Sequence, residues 1–301
     1  MGLTWGILGS GFGAYGYVPA LIRAGHLVLI PEANRNKLAS RHDLKPFFSS
    51  IRFLPEKDLI KLASNLVIAR RPIDQREIIE NNLSLLRSKS LFLEKPLAET
   101  NAHSIELLNM LKENTISFRI GFLASYSEWM SRLKETVLKH KREQIQIELS
   151  WKFNASHFKN GDFLKNWKAS SIFGGGCFNF YGSHVVHALA QLGEWQVSDF
   201  KRIYMASNMD TAFEIGLVAD SLKANILLDS NSDSPSAFQI SVFSKSDCLY
   251  QYCDNSLLPM PKDYKTVDPR SDLILEHIKS TKKTSVLIEE YSKYLALEEM
   301  L

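Results

Sequence analysis

The sequence predicts an α/β chain: a doubly wound parallel sheet, followed by an α+β domain on a mostly antiparallel open sheet. Three observations carry this. Short apolar runs alternate with helix-spaced segments through the first 120 residues, the rhythm of a parallel sheet covered on both faces. A glycine cluster, Gly9-Ser10-Gly11-Phe12-Gly13, separates the first apolar run from the first helical stretch. Later segments such as Gln144-Ile145-Gln146-Ile147-Glu148-Leu149-Ser150-Trp151 alternate polar and apolar residues, as half-solvated strands do.

Taken in order, Trp5 to Leu8 is the first strand, Val18 to Ala24 a helix, and Leu27 to Ile30 a buried strand stopped by Pro31. Ile51 to Leu54, Leu66 to Ala69, Leu91 to Leu93 and Ile116 to Phe122 are further strands. Lys57 to Ala63, Gln75 to Ser88 and Ser104 to Lys112 carry apolar residues at helical spacing between them. After Gln144 to Trp151 come a helix over Ser183 to Leu192 and strands Phe200 to Ala206, Phe213 to Val218, Leu222 to Leu228 and Phe238 to Phe243. Turn residues fill Asp229 to Ser236, and a charged helix, Ser285 to Met300, closes the chain. The expected division is a dinucleotide-binding domain over 1–122 and a second domain over 123–301, whose last helix can pack back on the first.

Composition excludes several classes. Hydrophobic residues make up 45% of the 301 and charged residues 23%, the balance of a chain that folds around its own core. A net charge of +3 from 36 basic and 33 acidic residues gives no case for nucleic acid as a partner. Three cysteines without a CxxC pair fit a reducing compartment, and the absence of Cys/His ligand spacing argues against a metal site. No apolar run reaches the roughly 18 residues of a membrane span. The N-terminus lacks a basic stretch followed by an apolar one, and Gly6 stands where a myristoylation signal wants Ser or Thr. The expected location is the cytoplasm.

Gly9-Ser10-Gly11-Phe12-Gly13-Ala14 fits the pattern G-x-G-x-x-G/A. The first glycine permits a tight turn, the second lets backbone approach a pyrophosphate, and the small third residue lets helix and strand pack closely. The reading is a Rossmann dinucleotide site with Gly9, Gly11, Phe12 and Gly13 against the cofactor; a plain glycine-rich turn is the alternative. The second strand ends in Pro31-Glu32-Ala33-Asn34-Arg35. An acidic residue there suits the ribose 2′-hydroxyl of NAD, and an arginine suits the 2′-phosphate of NADP. Asn34 and Arg35 lean the cofactor, NAD(P), toward NADP; the alternative is that Glu32 and Arg35 are solvated loop charges.

Two further blocks carry a family resemblance. Leu93-Glu94-Lys95-Pro96-Leu97-Ala98 follows the fifth strand, and Gly174-Gly175-Gly176-Cys177-Phe178-Asn179-Phe180-Tyr181-Gly182-Ser183-His184 opens a helix. With Gly121-Phe122 and the glycine loop, these make the chain resemble a divergent member of the glucose–fructose oxidoreductase and inositol dehydrogenase (Gfo/Idh/MocA) family. The resemblance implies NAD(P)-dependent oxidation or reduction of a hydroxyl or carbonyl on a sugar, nucleotide sugar or cyclitol, with the nicotinamide in a cleft between domains. It implies Lys95 and His184 as catalytic residues: an ammonium able to polarise a developing alkoxide or shuttle a proton, and an imidazole able to exchange one. Pro96 would hold the turn presenting Lys95. Ala69, Arg71, Pro72, Glu94, Lys95 and Pro96 would join the glycines at the cofactor. Tyr126, Trp151, Asn179, Tyr181 and His184 would meet the substrate. Trp151, Phe153, His157 and Trp167 offer aromatic faces to a sugar ring, with core packing as the alternative. Pairing into a dimer or tetramer through the second sheet is also implied.

The chain departs from that pattern twice. The family's usual Asp, four residues before the histidine, falls on Phe180, which cannot exchange a proton or accept a hydrogen bond. Asn179 is one residue off and, were the segment a strand, would face the other way. After the fourth strand, Ala69-Arg70-Arg71-Pro72-Ile73-Asp74-Gln75 has two arginines, and Gln75 stands where the family has His. The arginines suit a phosphate or an acidic substrate, or form a solvated turn. An oxidoreductase is therefore the first reading. A catalytically inactive dinucleotide- or sugar-binding regulator is the second. A reductase of a non-sugar compound, such as a tetrapyrrole, that draws its proton elsewhere is the third.

Overall fold

The computed structural model describes residues 2–155, 166–260, 263, 265–280 and 282–301. The chain forms two compact units: Met1–Ala98, Ala102–Leu123 and Pro259–Leu287 make the first, and Glu99–Asn101, Ala124–Leu258 and Ile288–Leu301 the second.

In the first unit, strands β1 (Thr4–Leu8), β2 (Leu27–Pro31), β3 (Ile51–Leu54), β4 (Asn65–Ile68), β5 (Ser90–Leu93) and β6 (Ser117–Ile120) form one sheet in the order β3-β2-β1-β4-β5-β6. Every neighbouring pair is parallel. All four residues of β4 are buried, as are the last four of β1 and β2, which is why these strands read as continuous apolar runs rather than alternations. The expected doubly wound sheet is correct. Its strand order reverses between β1 and β4, so the loops leaving these two strands part and open a crevice at the carboxyl edge.

The first unit also includes a stretch that sequence periodicity does not reveal. Helix Arg270–Lys279 docks on helix Tyr17–Arg23, where Arg23 Nη1 lies 3.4 Å from Ser271 Oγ. Arg119 of β6 donates to the carbonyls of His277 and Ser280 at 2.9 and 2.6 Å. Burial pushes the His277 imidazole down to about 3, so it sits neutral against Phe92.

The second unit holds β7 (Ile145–Lys152), β8 (Gln196–Ala206), β9 (Met209–Ala219), β10 (Leu222–Asp229), β11 (Ala237–Ser244) and β12 (Asp247–Asp254), ordered β12-β11-β7-β10-β9-β8. Only β7 and β10 run parallel; the other pairs are antiparallel. Ile145, Ile147, Leu149 and Trp151 are the buried face of β7. Trp129 of helix Glu128–Lys139 packs on Phe238 of β11 with ring centres 5.1 Å apart, and Phe178 packs on Phe213 of β9 at 5.3 Å. Sequence periodicity leaves β12 undetected because this strand has no fully buried residue. Among the described residues no helix is long and apolar enough to cross a membrane.

Candidate functional site

The glycine loop leaves β1 at the carboxyl edge and enters helix Phe12–Tyr15. Close packing fixes Gly13: a Cβ there would overlap that of Ala69, the residue after β4. Gly11 differs. A Cβ built on it would meet nothing within 4 Å, and the residue is exposed. No protein atom therefore crowds a side chain at position 11, whereas a ligand lying against the backbone would. The loop fits a pyrophosphate by this test. Phe12 is half-buried, with the Arg270 guanidinium 4.4 Å over its ring. Arg270 itself is held by Asp268 through Nε–Oδ1 and Nη2–Oδ2 contacts of 2.9 and 2.5 Å.

The Glu94-Lys95-Pro96 turn leaves β5 on the same edge, with a cis peptide before Pro96. Its shape is set by a side chain 75 residues into the chain. Gln75, fully buried on helix Pro72–Leu86, donates to the carbonyls of Glu94 and Leu97 at 2.8 and 2.9 Å and accepts from Glu94 N–H at 2.9 Å. One amide thus holds both sides of the turn that presents Lys95. Burial raises the Glu94 carboxyl to about 7, opposed by Lys95, by the Tyr17 hydroxyl and by Arg270. Glu94 Oε1 lies 3.1 Å from where a Gly121 Cβ would stand, so a side chain at 121 would crowd this carboxylate. The arrangement sets a carboxyl that titrates near neutrality next to a lysine.

The turns after β4 and β2 complete the edge. Arg70 pairs with Glu56 at 2.6 Å, and Arg71 pairs with Asp74 through two contacts of 2.8 Å. Both arginines therefore hold internal partners. Pro72 is the first residue of helix Pro72–Leu86, where its missing N–H costs nothing. After β2, Asn34 Nδ2 donates to the carbonyl of Gly9 at 3.4 Å. Arg35 is bidentate to Glu32 and stacks 4.3 Å above Phe53. Lys37 Nζ lies 2.9 Å from Ser10 Oγ in the glycine loop.

The second unit carries the other predicted residues. The opposite facing that a strand would give Asn179 does not apply: Cys177–Gly182 is a π-helical turn that runs into helix Ser183–Ala190. The cause lies at its start. Gly176 has φ of +80°, and the buried Asp210 carboxylate accepts from Phe178 N–H at 2.7 Å. A Cβ on Gly176 would overlap that carboxylate. Desolvation raises the Asp210 carboxyl, and Arg202 opposes the shift. An anion at the start of a helical segment satisfies its first N–H groups.

His184 is buried, 8% exposed, in the first turn of helix Ser183–Ala190. Phe180 is half-buried one turn earlier, edge-on to Trp167 and Tyr181 at 5.5 and 4.9 Å, with Lys168 Nζ 5.4 Å from the ring centre. Tyr181 and Trp151 join Phe153 in one aromatic cluster, with Trp151 6% exposed. Burial pushes the Tyr181 hydroxyl well above its ordinary range. Asn179 Nδ2 donates to Ser171 O at 3.3 Å, and Tyr126 is half-buried in the turn Leu123–Tyr126. The buried His187 is within 3.2 Å of both Ser125 Oγ, in the turn Leu123–Tyr126, and Gln191 Nε2, at the end of its own helix. His157 lies outside the described residues.

The first unit thus brings Gly9 to Gly13, Asn34, Ala69 and the Glu94–Pro96 turn to one sheet edge, while Asn179, Tyr181 and His184 share one helical segment of the second. Sequence reasoning missed Lys37, Tyr17, Arg270 and Asp210 and gave Gln75 no role; only spatial neighbours reveal these. A groove of about 490 Å³ runs along the polar face of the second sheet between Glu148, Glu214, Asn225 and Gln239, and none of the predicted site residues lines it. Among the described residues no three His, Cys, Asp or Glu side chains are grouped to hold a metal.

No protein-family profile and no curated protein matches the sequence. Solved structures share its fold. The WlbA dehydrogenase from Bordetella pertussis, in complex with NADH and UDP-GlcNAcA, aligns with a TM-score of 0.74 at 13% identity over 100% of this chain and 96% of its own. A putative myo-inositol dehydrogenase from Sinorhizobium meliloti aligns at 0.73 and 12% identity over 99% and 95%. The 3-ketoreductase KijD10 from Actinomadura kijaniata, in complex with NADP and TDP-benzene, aligns at 0.68 and 10% over 99% and 98%.

Proposed function

We propose that the chain is an NAD(P)-dependent oxidoreductase acting on a hydroxyl or carbonyl of a sugar, nucleotide sugar or cyclitol-like substrate. One observation carries the reading. At the switch point of a parallel sheet ordered β3-β2-β1-β4-β5-β6, Gly11 is bare with open space above it, and the Lys95 turn stands on the same edge. Gly9, Gly11 and Gly13 would cradle the pyrophosphate, with Phe12, Asn34, Ala69, Pro72 and the Glu94–Pro96 turn around it. A bound nicotinamide would supply or accept the hydride. Lys95 holds positive charge for a developing alkoxide, and Glu94 stores a proton next to it near neutral pH. His184 is the second proton-exchanging group, with Tyr126, Asn179 and Tyr181 as substrate contacts and Trp151 behind Tyr181. The same reading carries a homo-oligomer, which light scattering tests.

Phe180 favours a second reading, an inactive dinucleotide- or sugar-binding regulator, because an aromatic ring packed on Trp167 and Tyr181 stands one turn before His184. The experiment follows absorbance at 340 nm with NAD(P)H and NAD(P)⁺ against sugars, nucleotide sugars and cyclitols. Turnover that Lys95→Ala abolishes without unfolding supports the enzyme. Tight dinucleotide binding without turnover of any substrate class leaves the regulator.

A further inference from the structure

The glycine loop enters a helical turn of four residues, Phe12–Tyr15, which Gly16 separates from helix Tyr17–Arg23. No side chain caps that turn, and it contains no acidic residue. A single turn broken off by a glycine does not hold its own shape. Its two large side chains are held from outside instead. The Arg270 guanidinium lies 4.4 Å over the Phe12 ring and 6.0 Å from the centre of the Tyr15 ring. The Arg41 guanidinium lies 4.3 Å over the Tyr15 ring.

We propose that Arg270 and Arg41 are positioning residues for the dinucleotide. They clamp the turn that follows Gly11, set the loop in the shape that receives a pyrophosphate, and tie cofactor affinity to the docking of helix Arg270–Lys279. The inference rests on the dinucleotide reading above and adds what organises that site.

Each arginine is itself fixed by a buried aspartate two residues away. Asp268 accepts from Arg270 Nη2 at 2.5 Å, and from Arg270 Nε and the Arg270 backbone N–H at 2.9 Å each. Asp43 accepts from Arg41 Nε and Nη2 at 3.0 and 2.5 Å. Two-pronged pairing sets the plane of each guanidinium. It also balances each positive charge, which suits these groups to holding rings rather than drawing in a phosphate. Burial raises the Tyr15 hydroxyl, and both arginines oppose that shift. A cation held over a ring away from water is worth more than the same contact at the surface.

The two halves of the clamp come from different stretches of the first unit. Arg41 precedes β3, whereas Arg270 opens a helix from the far end of the chain that packs on helix Tyr17–Arg23, with Arg23 Nη1 3.4 Å from Ser271 Oγ. A pyrophosphate that needs the loop in this shape binds more tightly when the helix is docked. By linkage, a bound dinucleotide must favour the docked helix to the same extent.

The test combines hydrogen exchange of the full chain, with and without NADH, and titrations with NADH and ADP-ribose. In the parent, NADH is expected to slow exchange over residues 9–16 and 268–279 together. Asp268→Asn combined with Arg270→Met removes both charges at nearly constant volume. It is expected to weaken NADH and ADP-ribose about tenfold, the scale of one desolvated cation–ring contact, and to abolish the slowing over 268–279. Arg270→Lys keeps the charge but loses the flat fork, and is expected to weaken both ligands likewise. The salt dependence of affinity should stay that of the parent in both variants, because a residue acting through the loop makes no phosphate contact. Slowed exchange over 9–16 alone in the parent overturns the inference while the dinucleotide reading stands, and this measurement decides the matter if a variant does not fold. Affinities within about twofold of the parent in the folded variants overturn it as well. So does full rescue by Arg270→Lys with a weaker salt dependence in the double variant, the mark of a direct phosphate contact. Binding of neither NADH nor ADP-ribose by the parent overturns both readings.

Discussion

Replacing Gln75 by leucine removes the clamp on the Lys95 turn, and the cost can be worked from its three hydrogen bonds. The carbonyls of Glu94 and Leu97 lose donors at 2.8 and 2.9 Å, and Glu94 N–H loses an acceptor at 2.9 Å. That N–H keeps a second contact, to Ile68 O at 3.2 Å, so its loss is partial. Each buried group left unsatisfied costs on the order of 1 kcal/mol or more. Leucine keeps the volume and adds apolar burial, which offsets a fraction of the loss. The sum is a destabilisation of about 2–3 kcal/mol, or a melting temperature lower by roughly 5–10 °C for a unit of this size. Gln75→His can supply one donor and one acceptor and is expected to recover about half of that. Circular-dichroism melts of the parent and both variants in one buffer provide the check. A leucine variant melting within about 1 °C of the parent would refute the reasoning, because the turn would then hold itself.

Three further outcomes follow from the same contacts. Gly11→Val is expected to melt with the parent and to lose NAD(P)H binding, because nothing in the protein stands within 4 Å of the new Cβ; Gly13→Val should instead lower stability against Ala69, and melts with parallel dinucleotide titrations separate the two. Glu94 has its carboxyl raised from 4.5 to about 7, so the folded chain holds that proton more tightly than the unfolded one; the stability it contributes is complete below about pH 4.5 and is lost as pH rises through about 7. Glu94→Gln should therefore exceed the parent at pH 8, by about 2 kcal/mol after allowing for partial solvation, and match it near pH 4.5, which urea midpoints across pH will show. Gly176→Ala must adopt a φ of +80° and displace the Asp210 carboxylate, and a loss of about 2–4 kcal/mol with weakened ellipticity is expected.

The local signals in the chain were legible and the long-range ones were not. The parallel sheet could be read because a strand buried on both faces must be an uninterrupted apolar run, as Leu66-Val67-Ile68 is. The glycine loop could be placed because its glycines follow the first apolar run directly, and nothing in the protein stands within 4 Å of a Cβ at Gly11. Lys95 and His184 are singled out by the family resemblance of the blocks around them, and their roles remain a proposal. The sequence left open the backbone conformation of Asn179 to Tyr181, which the structure makes helical. A carboxylate 30 residues away, at Asp210, together with the left-handed Gly176, sets that segment as a helical turn.

Tertiary structure alone decided how each charge is used. Arg35, Arg70 and Arg71 are three cations in the sequence, yet Glu32, Glu56 and Asp74 neutralise them, and Lys37 is left beside the glycine loop. Arg270 reaches Phe12 and Glu94 from the far end of the chain, and Gln75 braces a turn that begins 19 residues later. Hydrophobic periodicity reports which face of an element is buried. It is silent about which partner a polar side chain finds, because that pairing is fixed only when distant segments close on one another and desolvate it. The sequence by itself therefore determined the two-sheet α/β plan and the place of the loop; the packing determined which side chains at that loop remain free to meet a ligand.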